Sequence, residues 1–399
     1  MKLTYRHTMY ACFAGYVVQA IINNFVPLLF VTFQQTYHLP LSQITALITF
    51  NFGIQLLVDL LSAGFIDRIG YRASILLAHG MSVLGLAGIV VLPSLLPNPF
   101  SGLLLSVMIY ALGGGLLEVL VSPIVEACPF DHKEAAMSLL HSFYCWGHVA
   151  VVLFSTLFFT LFGIENWRIM ALIWALVPAV NFLLFTQVPI SSLQEEGEGG
   201  LSLKNLLATP VFWVMMVLML CAGACEQAVS QWASTFAETA LGVSKTLGDL
   251  TGPMTFAIMM GSSRVLYSRC SNQLPLAAAL AGSGLLCLCS YLLIVLSPWP
   301  VAGLAGCALC GFSVGVLWPG TFSLASLKIR GGGTLMFALF ALAGDLGCSL
   351  GPTVVGRVSA AAGNNLKAGI LSAVIFPCLL LAGVFLLSKL SVSRPQCSV

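Results

Sequence analysis

One glutamate stands alone in a long apolar run. Glu118 lies in the stretch GGGLLEVLVSPIVEACPFD (residues 113–131), and no charged residue lies between Arg72 and Glu118. A lipid-facing carboxylate in such a run would cost several kcal/mol, so this residue is expected to face a cavity and to mark a pathway. Protonation of a carboxyl depends on its exposure to water and on neighbouring charges. Glu118 could therefore load and release a proton, bind solute hydroxyls, or be a protonated or paired group that only holds helices together.

A second set of polar side chains lies in the segment CEQAVSQWASTF (residues 225–236). Gln227 and Gln231 are four apart and would share one face of a helix, with Glu226 on the adjacent face. Amides both donate and accept hydrogen bonds, which suits a ligand that carries several hydroxyls. Trp232 or Trp318 could stack on an apolar ring face. The alternatives are interhelical hydrogen bonds for the amides and packing for the tryptophans.

Four further polar residues fall near the middle of apolar segments. Asn23 and Asn24 lie in the first segment, where their amides could bind a solute. His148 and Asp345 occupy equivalent places in the fifth and eleventh segments. They could face each other as an ion pair or hydrogen bond that couples cations, or they could only fix one conformation.

The composition requires a membrane environment for these residues. Of the 399 residues, 59% are hydrophobic and 8% are charged, whereas a soluble domain carries roughly 25% charged residues. No basic cluster indicates a nucleic-acid partner. Cys307 and Cys310 form a CxxC without a second ligand pair, so we expect no metal. The chain shows no nucleophile–base arrangement or phosphate-binding loop, so we expect neither an enzyme nor a cofactor.

The apolar segments predict twelve transmembrane helices, since each span needs about 20 apolar residues. The predicted spans are 8–33, 42–65, 73–93, 101–125, 135–162, 167–189, 208–237, 245–267, 274–296, 299–325, 332–356 and 366–388. A hydrophilic stretch at 190–205 follows the sixth span and contains three glutamates. We therefore predict an N-terminal bundle (1–189), a cytoplasmic linker (190–205) and a C-terminal bundle (206–399).

The distribution of Lys and Arg predicts the orientation of the chain. With the N-terminus inside, twelve of these residues fall on the inner side and four on the outer side. Cytoplasmic loops are enriched in Lys and Arg. Both termini are therefore predicted to be cytoplasmic in a multi-pass plasma-membrane protein, with the bacterial cytoplasmic membrane as the expected location.

The two halves of the sequence repeat each other at a constant offset. Gly64 aligns with Gly261, Arg72 with Arg269, and Trp146-Gly147-His148 with Ala343-Gly344-Asp345. Two parallel six-helix repeats joined by a linker are a known transporter design, in which the solute binds between the repeats near the midplane. The expected fold is an all-α polytopic membrane protein with two pseudo-symmetric six-helix bundles.

The segment Asp67-Arg68-Ile69-Gly70-Tyr71-Arg72, between the second and third spans, resembles the cytoplasmic motif of the major facilitator superfamily. It keeps the aspartate, the first arginine, the glycine and the last arginine, but has Tyr71 where arginine is common. The resemblance implies that Asp67, Arg68 and Arg72 form a conformational latch that locks the outward-open state. It also implies a monomer and a cavity lined by helices one, four, seven and ten, which would gather Asn24, Glu118, Glu226, Gln227 and Trp318.

Within the superfamily, Leu117-Glu118 and Pro123 resemble a helix-four pattern of the fucose–proton symporter branch, which includes sodium-dependent glucose transporters. In bacterial fucose symporters a segment near N-D-x-x-x-P supplies a second acid in helix one. Here Asn23-Asn24-Phe25-Val26-Pro27 stands in its place, and the aspartate is missing. The sequence therefore does not identify the sugar or the coupling ion.

Three functions remain compatible with the sequence. The first is an importer of a sugar or sugar-like solute, driven by protons or sodium through alternating access. The second is an exporter of amphipathic drugs or metabolites, although the fifth span lacks the proline that drug exporters usually carry there. The third is a receptor that binds a ligand without moving it. A transport assay distinguishes them: an importer takes up a sugar, an exporter moves an amphipathic compound outward, and a receptor binds its ligand without transport.

Overall fold

The computed structural model describes residues 3–129, 133–190, 203–270, 274–329 and 333–392. These residues are almost entirely helical, and eleven helices among them are long and apolar enough to cross a membrane. We number these helices, with one further helical segment (α8), in chain order: α1 (Tyr5–Tyr37), α2 (Leu41–Leu61), α3 (Ile69–Leu95), α4 (Pro99–Val125), α5 (Leu139–Phe162), α6 (Ile164–Gln187), α7 (Pro210–Thr239), α8 (245–270), α9 (Leu276–Leu296), α10 (Pro300–Ala325), α11 (Leu339–Ala361) and α12 (Leu366–Lys389). Helices α5 and α11 extend upstream to Lys133 and Gly333. Of the predicted linker, residues 191–202 lie outside the described residues.

Helices α2 and α3 belong to one helical run, Leu41–Leu95, with one break near the start of α3. The break is at Gly70, whose φ of 82° and ψ of 158° are open almost only to glycine. The glycine of the D-R-I-G-Y-R segment therefore has a backbone role: it turns the chain from one span into the next.

We expect Gly70→Ala to lower the free energy of unfolding by about 1–3 kcal/mol, because alanine must adopt a strained backbone at this position. Thermal unfolding in detergent would measure the loss. Gly282→Ala is the matched control, since an added Cβ there meets nothing within 4 Å. Equal stability of the two variants would contradict the assigned role.

Three of the spans are interrupted within their length. α1 consists of Tyr5–Asn24, a 3-10 turn at Val26–Leu29 and Phe30–Tyr37. α7 breaks between Ser230 and Ala233, and α10 between Val314 and Leu317. α8 contains a π-helical turn at Leu250–Met254. Discontinuous helices leave backbone groups available for partners at membrane depth.

The chain forms two compact units. Unit 1 comprises Met1–Glu196 together with Gln231–Ile258, and unit 2 comprises Gly197–Ser230 with Met259–Val399. The C-terminal end of α7 and the first part of α8 thus pack with the N-terminal helices. The two units therefore do not coincide with the first and second halves of the sequence. The bundle limits at 189 and 206 remain predictions.

Glycines allow close contact between α7 and α11 in unit 2. A Cβ on Gly223 of α7 would lie 2.2 Å from the Gly344 carbonyl oxygen, and one on Gly347 of α11 would lie 1.9 Å from the Leu220 carbonyl oxygen. Small residues let helix backbones approach each other closely in a membrane.

Candidate functional site

Glu118 belongs to a hydrogen-bonded cluster of amides between α1, α2 and α4. Gln19 Nε2 donates to Glu118 Oε2 at 3.2 Å and to Gln55 Oε1 at 2.9 Å. Gln55 Nε2 donates to Asn23 Oδ1 at 2.9 Å and to Asn51 Oδ1 at 3.1 Å, and Asn51 Nδ2 donates to Asn23 Oδ1 at 3.1 Å. The four amides are buried. The carboxylate is thus joined through amides to Asn23 and Asn51.

Helical spacing explains this cluster. Gln19 and Asn23 are four apart on α1, and Asn51 and Gln55 are four apart on α2, so each pair shares a helix face. The glycines before Glu118 let α4 approach them. A Cβ on Gly114 would lie 3.1 Å from Gln19 Oε1, and one on Gly115 would lie 2.8 Å from Val58 Cβ.

A small cavity, with room for about one water molecule, lies beside the cluster within unit 1. Its polar lining residues are Asn23, Asn51, Tyr110 and Gln231, and apolar residues of α1 and α2 complete the wall. Gln231 Nε2 donates to the Asn23 carbonyl oxygen at 3.0 Å. Asn23 and Gln231, both predicted to bind solute, are therefore brought together here.

Asn24 is buried beside this cluster but points elsewhere. Its Nδ2 donates to the Ala20 carbonyl oxygen at 2.9 Å and lies 3.5 Å from the Tyr144 hydroxyl on α5. A solute role for Asn24 therefore remains a prediction that requires its amide to reorient.

Glu226 and Gln227 lie in unit 2, on the part of α7 before its break. Gln227 Nε2 donates to Glu226 Oε1 at 3.3 Å, and Glu226 Oε2 lies 4.0 Å from an Arg264 nitrogen of α8. Arg264 also donates to the Gly315 carbonyl oxygen at the α10 break, at 3.1 Å. No spacing in the sequence indicated Arg264 as the partner of Glu226. Because Glu226 and Glu118 belong to different units, their meeting at one cavity remains a prediction.

The two tryptophans have different surroundings. Trp232 is fully buried in unit 1, with its ring centroid 5.6 Å from that of Phe30. Trp318 is half-buried in unit 2 and covers Gly344, where a Cβ would lie 2.3 Å from the indole. Stacking on a solute remains a prediction for both residues, and Trp318 has the more accessible ring.

His148 and Asp345 are both buried, at 2% and 7% exposure. His148 lies in unit 1, where the preceding Gly147 lets α5 approach Val17 and Ala20 of α1. Asp345 lies in unit 2 beside Gly344. Their pairing and their part in ion coupling remain predictions.

Of the predicted latch residues, only the side chain of Arg72 is within the described part. Its Nη1 donates to the Phe185 and Thr186 carbonyl oxygens at 2.7 and 3.1 Å, and its Nη2 to the Val188 carbonyl oxygen at 2.7 Å. Arg72 thus caps the C-terminus of α6, where a cation is favoured by the helix dipole. The side chains of Asp67 and Arg68 lie outside the described residues, and the latch remains a prediction.

A charged cluster between α7 and α8 was missed in the sequence analysis. Asp249 is fully buried, and its Oδ2 lies 3.0 Å from Lys245 Nζ. Lys245 Nζ also lies 3.3 Å from Glu238 Oε1 and donates to the Leu28 carbonyl oxygen of α1 at 2.5 Å. A buried carboxylate needs such a partner. The only sequence signal was the i, i+4 spacing of Lys245 and Asp249.

Gln19, Asn51 and Gln55 were also missed. Their signal was present in the sequence: pairs of amides four residues apart inside predicted spans. Such pairs are compatible with many interhelical partners, so the sequence did not indicate that these amides form one hydrogen-bonded cluster with Glu118.

Comparison with known proteins gives a consistent result. Residues 11–352 match the family model of the Major Facilitator Superfamily, and a comparison with curated proteins gave no match. The structure is similar to a bacterial homologue of the human lysosomal transporter Spinster in an inward-facing, occupied conformation (TM-score 0.76, 16% identity, 100% of both chains). It is similar to a D-xylose–proton symporter (TM-score 0.73, 16% identity, 96% of both chains). It is also similar to a variant of the E. coli fucose:proton symporter FucP (TM-score 0.63, 18% identity, 97% of this chain and 98% of that one).

These matches confirm the predicted fold class. The chain is an all-α polytopic membrane protein with twelve transmembrane helices in two pseudo-symmetric six-helix bundles. α8 is the twelfth, although its three consecutive helical elements carry more charge than the other spans.

Proposed function

Since the chain belongs to the Major Facilitator Superfamily, we propose that it is a secondary active transporter that imports a sugar or sugar-like polar solute by alternating access. Import is coupled to an ion gradient, with the proton as the first candidate and sodium as the second. Two of its structural neighbours are described as sugar–proton symporters. Fold alone does not assign a solute, so the proposal depends on the site.

The connection of Glu118 to the cavity carries the proposal. An ionisable group inside a membrane bundle, hydrogen-bonded through amides to groups that line a cavity, could link its charge to what the cavity binds. Donors and acceptors for solute hydroxyls are offered by Asn23, Asn51 and Gln231. Because these side chains are buried, each hydrogen bond to a bound solute would be electrostatically stronger than in water. Glu118 is the coupling group.

Further residues complete the proposal. Glu226, Gln227, Trp232 and Trp318 contribute solute contacts from α7 and α10 during the transport cycle, and Asn24 joins them from α1. His148 and Asp345 contribute to ion coupling, and the latch of Asp67, Arg68 and Arg72 stabilises one conformation. The protein acts as a monomer in the bacterial cytoplasmic membrane, with both termini and the 190–205 linker in the cytoplasm.

Counterflow in proteoliposomes tests this function without assuming a coupling ion. Vesicles loaded with an unlabelled sugar, and diluted into the same labelled sugar with no ion gradient, should accumulate label transiently. We expect one member of a panel of D-glucose, L-fucose and D-xylose to exchange, and excess external unlabelled sugar to block it. Protein-free vesicles are the control.

No exchange with any sugar, in a monodisperse and folded preparation, would refute the sugar proposal. Export of an amphipathic compound in the same vesicles would then support the exporter. Saturable binding of a ligand without exchange would support a receptor.

A further inference from the structure

The break in α1 leaves one backbone carbonyl dependent on a distant side chain. In an α-helix the carbonyl of residue 23 would accept from the N–H of residue 27, but residue 27 is proline and has no N–H. The Asn23 carbonyl oxygen instead accepts from Gln231 Nε2 at 3.0 Å. Asn23 and Gln231 are 5% and 2% exposed, so little water reaches this bond. A buried carbonyl that loses its donor is costly, so Gln231 stabilises the break.

Gln231 is also the first residue of the segment that packs with the N-terminal helices. We call Gln231–Ile258 the outer hairpin; it contains the end of α7 and the start of α8. Beyond Gln231, its contacts with α1 and α5 include four further pairs: Trp232 with Phe30, Lys245 with the Leu28 carbonyl, Asp249 with Thr156, and Thr246 with Thr160. Two of these five contacts, at Asn23 and Leu28, are to backbone carbonyls of the interrupted α1.

The outer hairpin is tied together internally. Ser234 Oγ donates to Asp249 Oδ1 at 2.5 Å and lies 3.3 Å from Glu238 Oε1. Lys245 Nζ bridges the Asp249 and Glu238 carboxylates. Because these bonds join its two helical arms, the hairpin would detach from α1 and α5 as one body.

The bond between Gln231 and Asn23 is at the wall of the cavity described above, which both residues line. A hydroxyl carries one donor and two acceptor lone pairs. A bound hydroxyl could therefore accept from Gln231 Nε2 and donate to the Asn23 carbonyl at the same time. Both protein groups would remain satisfied, but they would no longer be joined directly.

We propose that Gln231 is a positioning residue that couples occupancy of the cavity to the outer hairpin. With the cavity empty, its amide holds the hairpin on the carbonyl that Pro27 leaves without a backbone donor. A solute hydroxyl inserts into this bond and frees the hairpin to leave α1. The inference rests on the proposed function for the chemistry of the solute, and on the geometry of unit 1 for the contact itself.

Disulfide formation between α5 and α8 measures whether the hairpin is docked. The hydroxyls of Thr160 and Thr246 are 3.1 Å apart and both residues are exposed. In a Thr160→Cys/Thr246→Cys protein in proteoliposomes, the rate of cross-linking by a mild oxidant reports the docked population. Each single-cysteine protein controls for the native thiols.

The variants test the role of Pro27 directly. In the double-cysteine protein, Gln231→Met should slow cross-linking by up to about tenfold, because the loss of the donor to one buried carbonyl shifts the docking equilibrium by about that factor. Pro27→Ala supplies the missing N–H, so adding Gln231→Met to Pro27→Ala should slow it less than twofold. Gln35→Met, at an exposed glutamine near the end of α1, should have no effect. If Gln231→Met does not fold, Gln231→Leu, whose side chain also has no hydrogen-bond donor, replaces it.

Equal slowing in the two backgrounds, or no slowing in either, would overturn the role of Gln231. Solute displacement is tested with the same D-glucose, L-fucose and D-xylose panel. A sugar that exchanges in counterflow should slow cross-linking in the parent protein and not in Gln231→Met. If an exchanging sugar leaves the rate unchanged, the coupling is refuted while the proposed transport stands. If no sugar exchanges, the transport proposal and the solute half of this inference fail together, and the Pro27→Ala result alone decides the contact.

Discussion

Glu118→Gln should exchange solute in counterflow at close to the parent rate but should not accumulate it against a gradient. The substitution keeps the side-chain length and one oxygen that can accept from Gln19 Nε2, which in the parent donates to Glu118 at 3.2 Å. The hydrogen-bonded cluster is therefore preserved. What the variant loses is the ability to change its charge, and an uncharged site cannot couple solute movement to a proton gradient.

The measurement compares counterflow with uptake driven by an imposed proton gradient in the same proteoliposomes. We expect uphill accumulation to fall at least tenfold, to the level of equilibration, because coupling rather than binding is lost. Glu165→Gln is the matched control, since Glu165 is an exposed carboxylate in the turn before Trp167. Uphill uptake by Glu118→Gln equal to that of the parent would leave Glu118 with a structural role only. A sodium gradient replaces the proton gradient if the parent responds to sodium alone.

Lys245→Met should lower the free energy of unfolding by about 3 kcal/mol, because it leaves a buried carboxylate without its cation. Asp249 is fully buried, and its Oδ2 lies 3.0 Å from Lys245 Nζ. Glu238 would lose the same partner. Thermal unfolding in detergent, followed by the loss of monodisperse protein, measures the effect.

Lys367→Met provides the comparison for this variant. Lys367 Nζ donates to the Ser297 carbonyl oxygen at 2.8 Å and has no carboxylate partner in the described structure, so its loss should cost only about 1 kcal/mol. Adding Asp249→Asn to Lys245→Met removes the uncompensated charge but keeps an acceptor oxygen for Ser234. This double variant should recover at least half of the lost stability. A double variant no more stable than Lys245→Met would show that the ion pair is not the source of the loss.

The amide cluster shows where prediction of the site from sequence stopped. The sequence indicated that Glu118 needed partners, because a lone carboxylate in an apolar run is costly. It did not indicate that Gln19 would supply the donor, 99 positions away. Nor did it predict that Gln231 and Asn23, both selected as solute-binding residues, would bond to each other across 208 positions. Each of these polar side chains had several chemically equivalent partners among the predicted helices, so the sequence could not single out one of them.

The sequence by itself determined the class of protein, the positions of the spans and the residues that are costly to bury. Each of these is a local property: hydropathy over about 20 residues sets a span, and a polar residue within it is visible without knowledge of its neighbours. Only the tertiary structure decided which helices are interrupted. It also decided which partners hydrogen-bond to the buried polar side chains and to the backbone groups freed at the interruptions. Lys245 binds the Leu28 carbonyl 217 positions away, and the outer hairpin packs with the N-terminal helices rather than with the rest of its own half. The physical reason is that a hydrogen-bond donor in the membrane must find an acceptor somewhere, and packing between distant helices chooses which one.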